Sequence, residues 1–418
     1  MEDYLQAQEH QKELLRTKDV KQHQRQKAPS CQSSLSKLEK LTIYNDADGD
    51  FVDDIKSVKL PIADAKLSGL KELVLDHCWI KEELSSWNWV WKSCSNVERL
   101  ELRTCGYDHI DDMAARIRTY LPAVNSLVYK GDIFIVVPAS LLSACLGGWK
   151  NIRIDAMLDR SSCKALAEHC ATLEVLQVTN ILEDSSSTLR QILSSSPNLR
   201  ILITSDDKFH IQQWIPYLEA EDFVDAHCGT LNPWACETSV KVLKTKITRI
   251  PRPNVTKLLN GLQRADALKE TCTREGKQLQ QCVYERLSRF INLEELCLGL
   301  DSKERRRLYP FDSSKYGEDY QYECLEMTLE SGLDQLKGLK NLRVLDVRMM
   351  EQRIGLKEVQ WMTQYWPRLR EIRGLWDDGD NLKAGEWLWK HSPMIKVELT
   401  SRSFYCATYL DELLKERI

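Results

Sequence analysis

No apolar run in this sequence is long enough to cross a bilayer. The most apolar stretch, Ile133 to Leu146, falls short of the roughly 20 residues a spanning helix needs, and Pro138 interrupts it. An excess of one charge is also missing. There are 58 Lys+Arg against 62 Asp+Glu, a formal net charge of −4, which argues against a nucleic-acid binder working by bulk electrostatics. Cysteine is sparse at 14 in 418 residues, and none stands in a C-x-x-C pair, so a disulfide scaffold is excluded. The opening Met1-Glu2-Asp3-Tyr4 has neither the basic start nor the apolar run of a secretory signal. The expectation is a soluble intracellular protein, cytoplasmic or nuclear, with free thiols. What is present is 43% apolar residues, ample for a core.

Residues 1–34 form a charged, Gln-rich tail or linker: six of the first 26 residues are Gln, and Ala28-Pro29-Ser30 closes the stretch. From residue 35 a repeat takes over. Leu70-Lys71-Glu72-Leu73-Val74-Leu75-Asp76-His77-Cys78 fits L-x-x-L-x-L-x-x-N/C at every fixed position, as does Val97 to Cys105. The frame recurs from Leu38, Val124, Trp149, Leu173 and Leu199, and later from Leu293, Leu342, Leu369 and Ile395. From Leu70 to Leu199 the starts are 27, 27, 25, 24 and 26 residues apart. Length alone would suggest two or three domains; the repeat replaces that with a single array. Its regular part spans 35–204. An irregular insertion follows at 205–290, with one poor copy at Val240/Leu243 and a helical pattern from about Val255 to Phe290, and 291–418 are C-terminal repeats.

In an extended segment side chains alternate between faces, so Leu73 and Leu75 point inward while Glu72, Val74 and Asp76 point out. The residues after each strand return the chain to start a parallel neighbour. Several carry helical periodicity, with Met113, Ile117, Tyr120 and Leu121 on one face and Leu189, Ile192 and Leu193 on another. The predicted fold is therefore α/β: a leucine-rich-repeat solenoid, a horseshoe with parallel β-strands on the concave face and helices on the convex face.

Chemistry finds no foothold. Phosphate-binding, nucleophile-elbow, zinc-protease and dinucleotide motifs are all missing. Asp46-Ala47-Asp48-Gly49-Asp50 imitates the start of a calcium loop, but the glycine is two positions early and Ser57 stands where the bidentate Glu belongs. Cys78 and Cys105 read as buried turn residues. The His-Cys pairs at 77–78, 169–170 and 227–228 are far apart in sequence, so no metal is expected, and no cofactor. Trp87, Trp89 and Trp91 read as packing around an irregular helix or turn, with an exposed aromatic anchor as the alternative. The basic run Lys303–Arg307, in a loop extending to Tyr322, reads as solvated.

What remains is a binding surface made of outward strand positions. Candidate partner-binding residues are Glu72, Asp76, Arg99, Glu101, Arg103 and Lys130, continued by Arg153, Asp155, Gln177, Asp346 and Arg348. Both signs are interleaved, which suits a protein partner and not phosphate, nucleic acid or membrane. An activator of GTPases could use Arg99, Arg103 or Arg153 from the rim, yet nothing singles one out.

The C-terminal half carries further motifs: Trp234-Ala235-Cys236, Lys244 to Ile250 with Pro251-Arg252-Pro253, and Val283-Tyr284-Glu285-Arg286-Leu287. Thr328 to Leu333, Ile354-Gly355, Glu358 to Met362, Trp366-Pro367-Arg368-Leu369 and Arg373-Gly374-Leu375 complete the set. Over about residues 36–400 the chain resembles fungal F-box-like leucine-rich-repeat proteins, with a ribonuclease-inhibitor-like array. The resemblance implies the substrate-recognition part of an F-box-type (SCF) ubiquitin ligase, non-enzymatic itself, whose partners are ubiquitination substrates. An F-box would dock a cullin adaptor, but no Leu-Pro occurs in the first 37 residues and Leu60-Pro61 lies inside the array. The expectation is thus an array lacking its F-box, with a cullin adaptor as partner only if one lies upstream. The alternative is a stand-alone scaffold or inhibitor.

The inward assignment has a direct test. Leu100→Ala should cost about 2–5 kcal/mol in urea unfolding, as for a buried leucine; a loss below about 0.5 kcal/mol would contradict the frame.

Overall fold

The computed structural model describes residues 38–44, 67–76, 88–103, 110–131, 135–204, 215–224, 234–250, 274–299 and 324–400, apart from 349, 351 and 378. The tail, the Asp46–Asp50 string, Cys78, Cys105, Trp87, residues 251–273 and the 300–322 loop lie outside the described residues.

Every repeat frame forms its strand. The strands are β1 (Lys40–Tyr44), β2 (Glu72–Asp76), β3 (Arg99–Arg103), β4 (Ser126–Lys130), β5 (Asn151–Leu158), β6 (Val175–Ile181) and β7 (Ile201–Ile203). They continue with β8 (Tyr217–Glu219), β9 (Val242–Lys244), β10 (Lys246–Thr248), β11 (Glu295–Cys297), β12 (Val344–Asp346), β13 (Glu371–Trp376) and β14 (Lys396–Thr400). Twelve make one parallel sheet in chain order, β1 to β7 and then β9 and β11 to β14; β8 and β10 pair separately. The array is a leucine-rich-repeat solenoid. The poor copy at Val240/Leu243 proves a full member of the sheet, because β9 bridges β7 and β11 inside the segment read as an insertion. Of the helical pattern from Val255, the described part is the helix Arg274–Ser288.

Register is uniform at the strand entries and shifts farther along only between Ile154 and Met157 and between Arg373 and Leu375. The first outward position of each strand pairs with that of the next, from Lys40↔Glu72 and Glu72↔Arg99 onward to Glu371↔Lys396. A one-residue slip would throw every inward leucine to the solvent face, so the buried side fixes the pairing. Backbone bonds enforce it at the strand entry. From β1 to β13 one carbonyl of each repeat accepts two successive amides of the following one, as Glu98 O takes Asn125 and Ser126 N–H and Lys150 O takes Glu174 and Val175 N–H.

Helices or 3-10 turns fill several of the returns. The helix Ile110–Tyr120 carries Asp111 and Asp112 in its first turn and Arg118 in its last, the polarity its dipole favours. It buries Met113 and Ile117. The helix Arg160–Ala167 is capped by Asp159, which accepts from Ser162 N–H at 2.8 Å. The core is one continuous apolar seam from Leu67 to Ile395 that includes Leu73, Leu100, Leu127, Leu176, Leu243 and Leu345. Of the three tryptophans at 87, 89 and 91, Trp91 joins it, while Trp87 and the side chain of Trp89 lie outside what is described. Trp149 and Trp366 are fully enclosed, and each indole Nε1–H donates to a backbone carbonyl: Leu142 O at 2.6 Å and Leu336 O at 2.9 Å.

The turn clusters before the strands have a defined job. In several copies the residue preceding the first apolar position donates its side chain to a carbonyl of the previous repeat. Asn96 reaches Ser68 O at 2.9 Å, Asn198 reaches Ala171 O at 2.9 Å, Ser239 reaches Leu199 O at 2.7 Å and Asn292 reaches Thr238 O at 2.7 Å. These bonds staple neighbouring copies. Asn198→Ala should lower stability by about 0.5–1.5 kcal/mol, one net hydrogen bond, measured by urea unfolding of the full chain; an unchanged midpoint would show that the staple is redundant.

The concave face as a candidate functional site

The outward positions of the sheet carry two ion networks with an aliphatic strip between them. The first spans β1 to β4. Lys40 Nζ meets Glu72 Oε1 at 2.9 Å, and Arg99 Nε lies 3.5 Å from the same oxygen. Arg99 Nη2 donates to Glu101 Oε2 at 3.2 Å, Arg103 Nε to Glu101 Oε1 at 2.7 Å and Lys130 Nζ to Glu101 Oε1 at 2.9 Å. Arg103 Nη1 also reaches Asp76 Oδ2 at 3.3 Å. The sequence-predicted residues Glu72, Asp76, Arg99, Glu101, Arg103 and Lys130 therefore form one connected cluster.

Exposure corrects the sequence reading here. Glu101 is outward but buried, because three cations close over it. Its outward neighbours Val74 and Val128 are buried too. Burial alone would raise the Glu101 pKa; hydrogen bonds from Lys130, Arg103 and Arg99 outweigh it and hold the carboxyl at about 2.

The second network spans β12 to β14. Arg348 folds back onto Asp346, Nε to Oδ1 at 3.0 Å and Nη2 to Oδ2 at 2.6 Å, and both residues are buried. They too were expected to face a partner. Their cover has a backbone cause: Gly299 and Gly374 flank Arg348 so closely that a Cβ at either would collide with its main chain, and Gly374 has φ of +90°. Arg373 Nη1 approaches Asp346 Oδ2 at 3.8 Å, while its Nη2 donates to Glu371 Oε2 at 2.8 Å. Lys396 Nζ donates to Glu371 Oε1 at 2.8 Å. The Arg373 hydrogen bond, seconded by Lys396 and opposed by burial, keeps the Glu371 carboxyl at about 2.

The middle of the sheet is different. Arg153 on β5 is exposed and makes no ion pair among the described residues. Asp155 accepts from Thr179 at 3.3 Å, and Gln177 is half-buried on β6. Val175, Ile201, Ile203 and Val242 occupy outward positions on β6, β7 and β9 and stay partly exposed. Val175, Ile201 and Val242 are direct cross-strand partners. Of these four, the candidate set chosen from charge contains none. The signal was in the frame, since Leu199 to Thr204 places isoleucine at both outward positions around Leu202.

No group of three or more His, Cys, Asp or Glu among the described residues could hold a metal ion. His169 is buried, Nε2 at 2.8 Å from Leu142 O, and burial lowers its pKa; the adjacent Cys170 thiol is pushed up by burial. Burial pushes the Cys94, Cys236 and Cys297 thiols up to about 12. No described helix is long and apolar enough to cross a membrane.

Acid stability tests the Glu101 and Glu371 networks. Both carboxyls have folded pKa values below the ordinary 4.5, so their stabilisation is present above about pH 4.5 and is lost as pH falls towards 2. Glu101→Gln should cost about 1.5–3 kcal/mol at pH 7 and flatten the decline of melting temperature between pH 4.5 and 2. A variant with an unchanged acid limb would show that Glu101 is not held by these cations.

No protein-family model matches this chain, and no curated protein matches it. Among solved structures, a chain of the Rad7 and Elc1 complex in yeast is similar, at 16% identity and a TM-score of 0.36, over 78% of this chain and 80% of that one.

Proposed function

We propose that this protein is a non-enzymatic protein-interaction module whose concave sheet face is the working surface, and that it serves as the substrate-recognition part of an F-box-type ubiquitin ligase. The observation that carries the first half is the wall itself. Twelve parallel strands at the usual spacing span about 50 Å, and their outward side chains put aliphatic groups at the centre and paired charges towards both ends. An apolar middle with a polar surround is the anatomy of a protein-binding surface. A general base or nucleophile works best with a pKa near the operating pH, and neither Glu101 nor Glu371, held at about 2, nor the thiols of Cys94, Cys236 and Cys297, pushed to about 12, suits that role. The ligase half is supported by the sequence resemblance between residues 36 and 400.

Capture from cell extract with the tagged full chain tests both halves. Arg153→Glu combined with Ile203→Thr should lose the proteins that the wild type recovers, while Lys383→Gln, at an exposed position of the helix Gly379–His391, should keep them. Unchanged recovery by the double variant would move the working surface elsewhere. Absence of a cullin adaptor from every capture would end the ligase assignment and leave the interaction module standing.

A further inference from the structure

The vertical arrangement of charge on the concave face is not neutral. In the pairs joining β1 to β4 the cation is always the more exposed partner: Arg103 is 36% exposed over Asp76 at 16%, and Lys130 is 52% exposed over Glu101 at 3%. The pairs of Asp346 and Glu371 follow the same rule, with Lys396 at 74% over Glu371 at 15%. Lys244–Glu295 alone inverts it among the described outward pairs. The carboxylates lie against the sheet and the ammonium and guanidinium tips stand above them. A chain with a formal charge of −4 thus turns a cationic layer towards whatever enters its concave side. Arg153 adds a charge with no ion-pair partner among the described residues, directly beside the aliphatic strip, since β5 pairs with β6.

We infer that the concave face takes an acidic, aliphatic-bearing segment of a protein partner, with its carboxylates over Lys130 and Arg153 and its aliphatic side chains on Val175, Ile201, Ile203 and Val242. Complementary charge and apolar burial act on the same short stretch of sheet. From β4 to β9 the wall covers about 19 Å, the reach of about six extended residues. A basic segment would meet the cation tips first, and like charges placed together cost affinity. The inference rests on the concave face being the working surface, and the experiment separates the two.

The full-length chain is immobilised and used to select from a random dodecapeptide display library, with and without polyuridylate as competitor. Enriched peptides should be rich in Asp and Glu together with Leu, Ile or Val. Their affinity, measured by fluorescence anisotropy, should fall about fivefold for Arg153→Glu, the scale of one exposed charge contact. Ile203→Thr, which keeps a β-branched residue and the fold, should weaken binding by a similar factor through lost apolar contact. Added salt should weaken it as well. Enrichment of basic peptides, no enrichment, or displacement by polyuridylate would overturn the acidic segment. If acidic peptides are enriched but bind both variants as they bind the wild type, the concave reading itself fails.

Discussion

Every part of this molecule depends on one constraint: a single repeat cannot bury its own apolar face. Leu73, Leu100, Leu127 and their equivalents are fully enclosed only because the next strand and its return segment lie against them. Stability in such an array is a sum of nearest-neighbour interfaces. Two kinds of polar bond make those interfaces specific. The shared carbonyl that accepts two amides of the following repeat fixes the strand entry, and Asn96, Asn198, Ser239 and Asn292 fix the turn before it. Burial supplies the driving force, and these bonds set the pitch.

With the leucines committed inward, the outward positions are free to vary, and the chain uses them in two ways. Near both ends they form ion networks that cross strand boundaries: Lys40 to Lys130 through Glu72, Arg99 and Glu101, and Lys396 to Arg348 through Glu371, Arg373 and Asp346. Buried carboxylates there are tolerated because each pairs with more than one cation and accepts charge-assisted bonds from at least one. In the middle the networks give way to valine and isoleucine.

The fold was readable from the sequence because its period is redundant. Each strand start from Leu38 to Ile395 coincides with an observed strand, and even the degraded copy at Val240/Leu243 sits in register. The site was less readable, for a physical reason. Alternation tells which face a side chain points to, but not whether its neighbours cover it. Glu101, Asp346 and Arg348 lie on the outward side as the pattern requires, yet burial depends on lateral contacts between strands, and those follow from register and from Gly299 and Gly374. Choosing candidates by charge also favoured the networks that lock the sheet over the aliphatic positions between them. The residues that carry the family resemblance tell the same story from inside. Trp234, Cys236, Val283, Tyr284, Leu287 and Trp366 are core; Trp234 packs against Phe223 and Phe290 under the Arg286 guanidinium, which pairs with Glu237 at 3.0 Å. Such residues specify an array and leave its partner open.

Desolvation decides where binding energy resides on this wall. Covering a satisfied ion pair removes water from charges that already have partners, so the gain is small or negative. Covering Val175, Ile201, Ile203 and Val242 removes apolar surface from water at about 25 cal/mol per Å². The strip should therefore hold the energetically dominant contacts, with the cation tips acting as a rim that governs encounter rate and partner sign. Arg153 is where the two roles meet. It is charged, exposed and unpaired among the described residues, and it sits on the strand next to the strip. A partner carboxylate there would gain a full ion pair without breaking one, which no other cation of the β1 to β4 network offers, because Lys40, Arg99, Arg103 and Lys130 already serve a carboxylate beneath them.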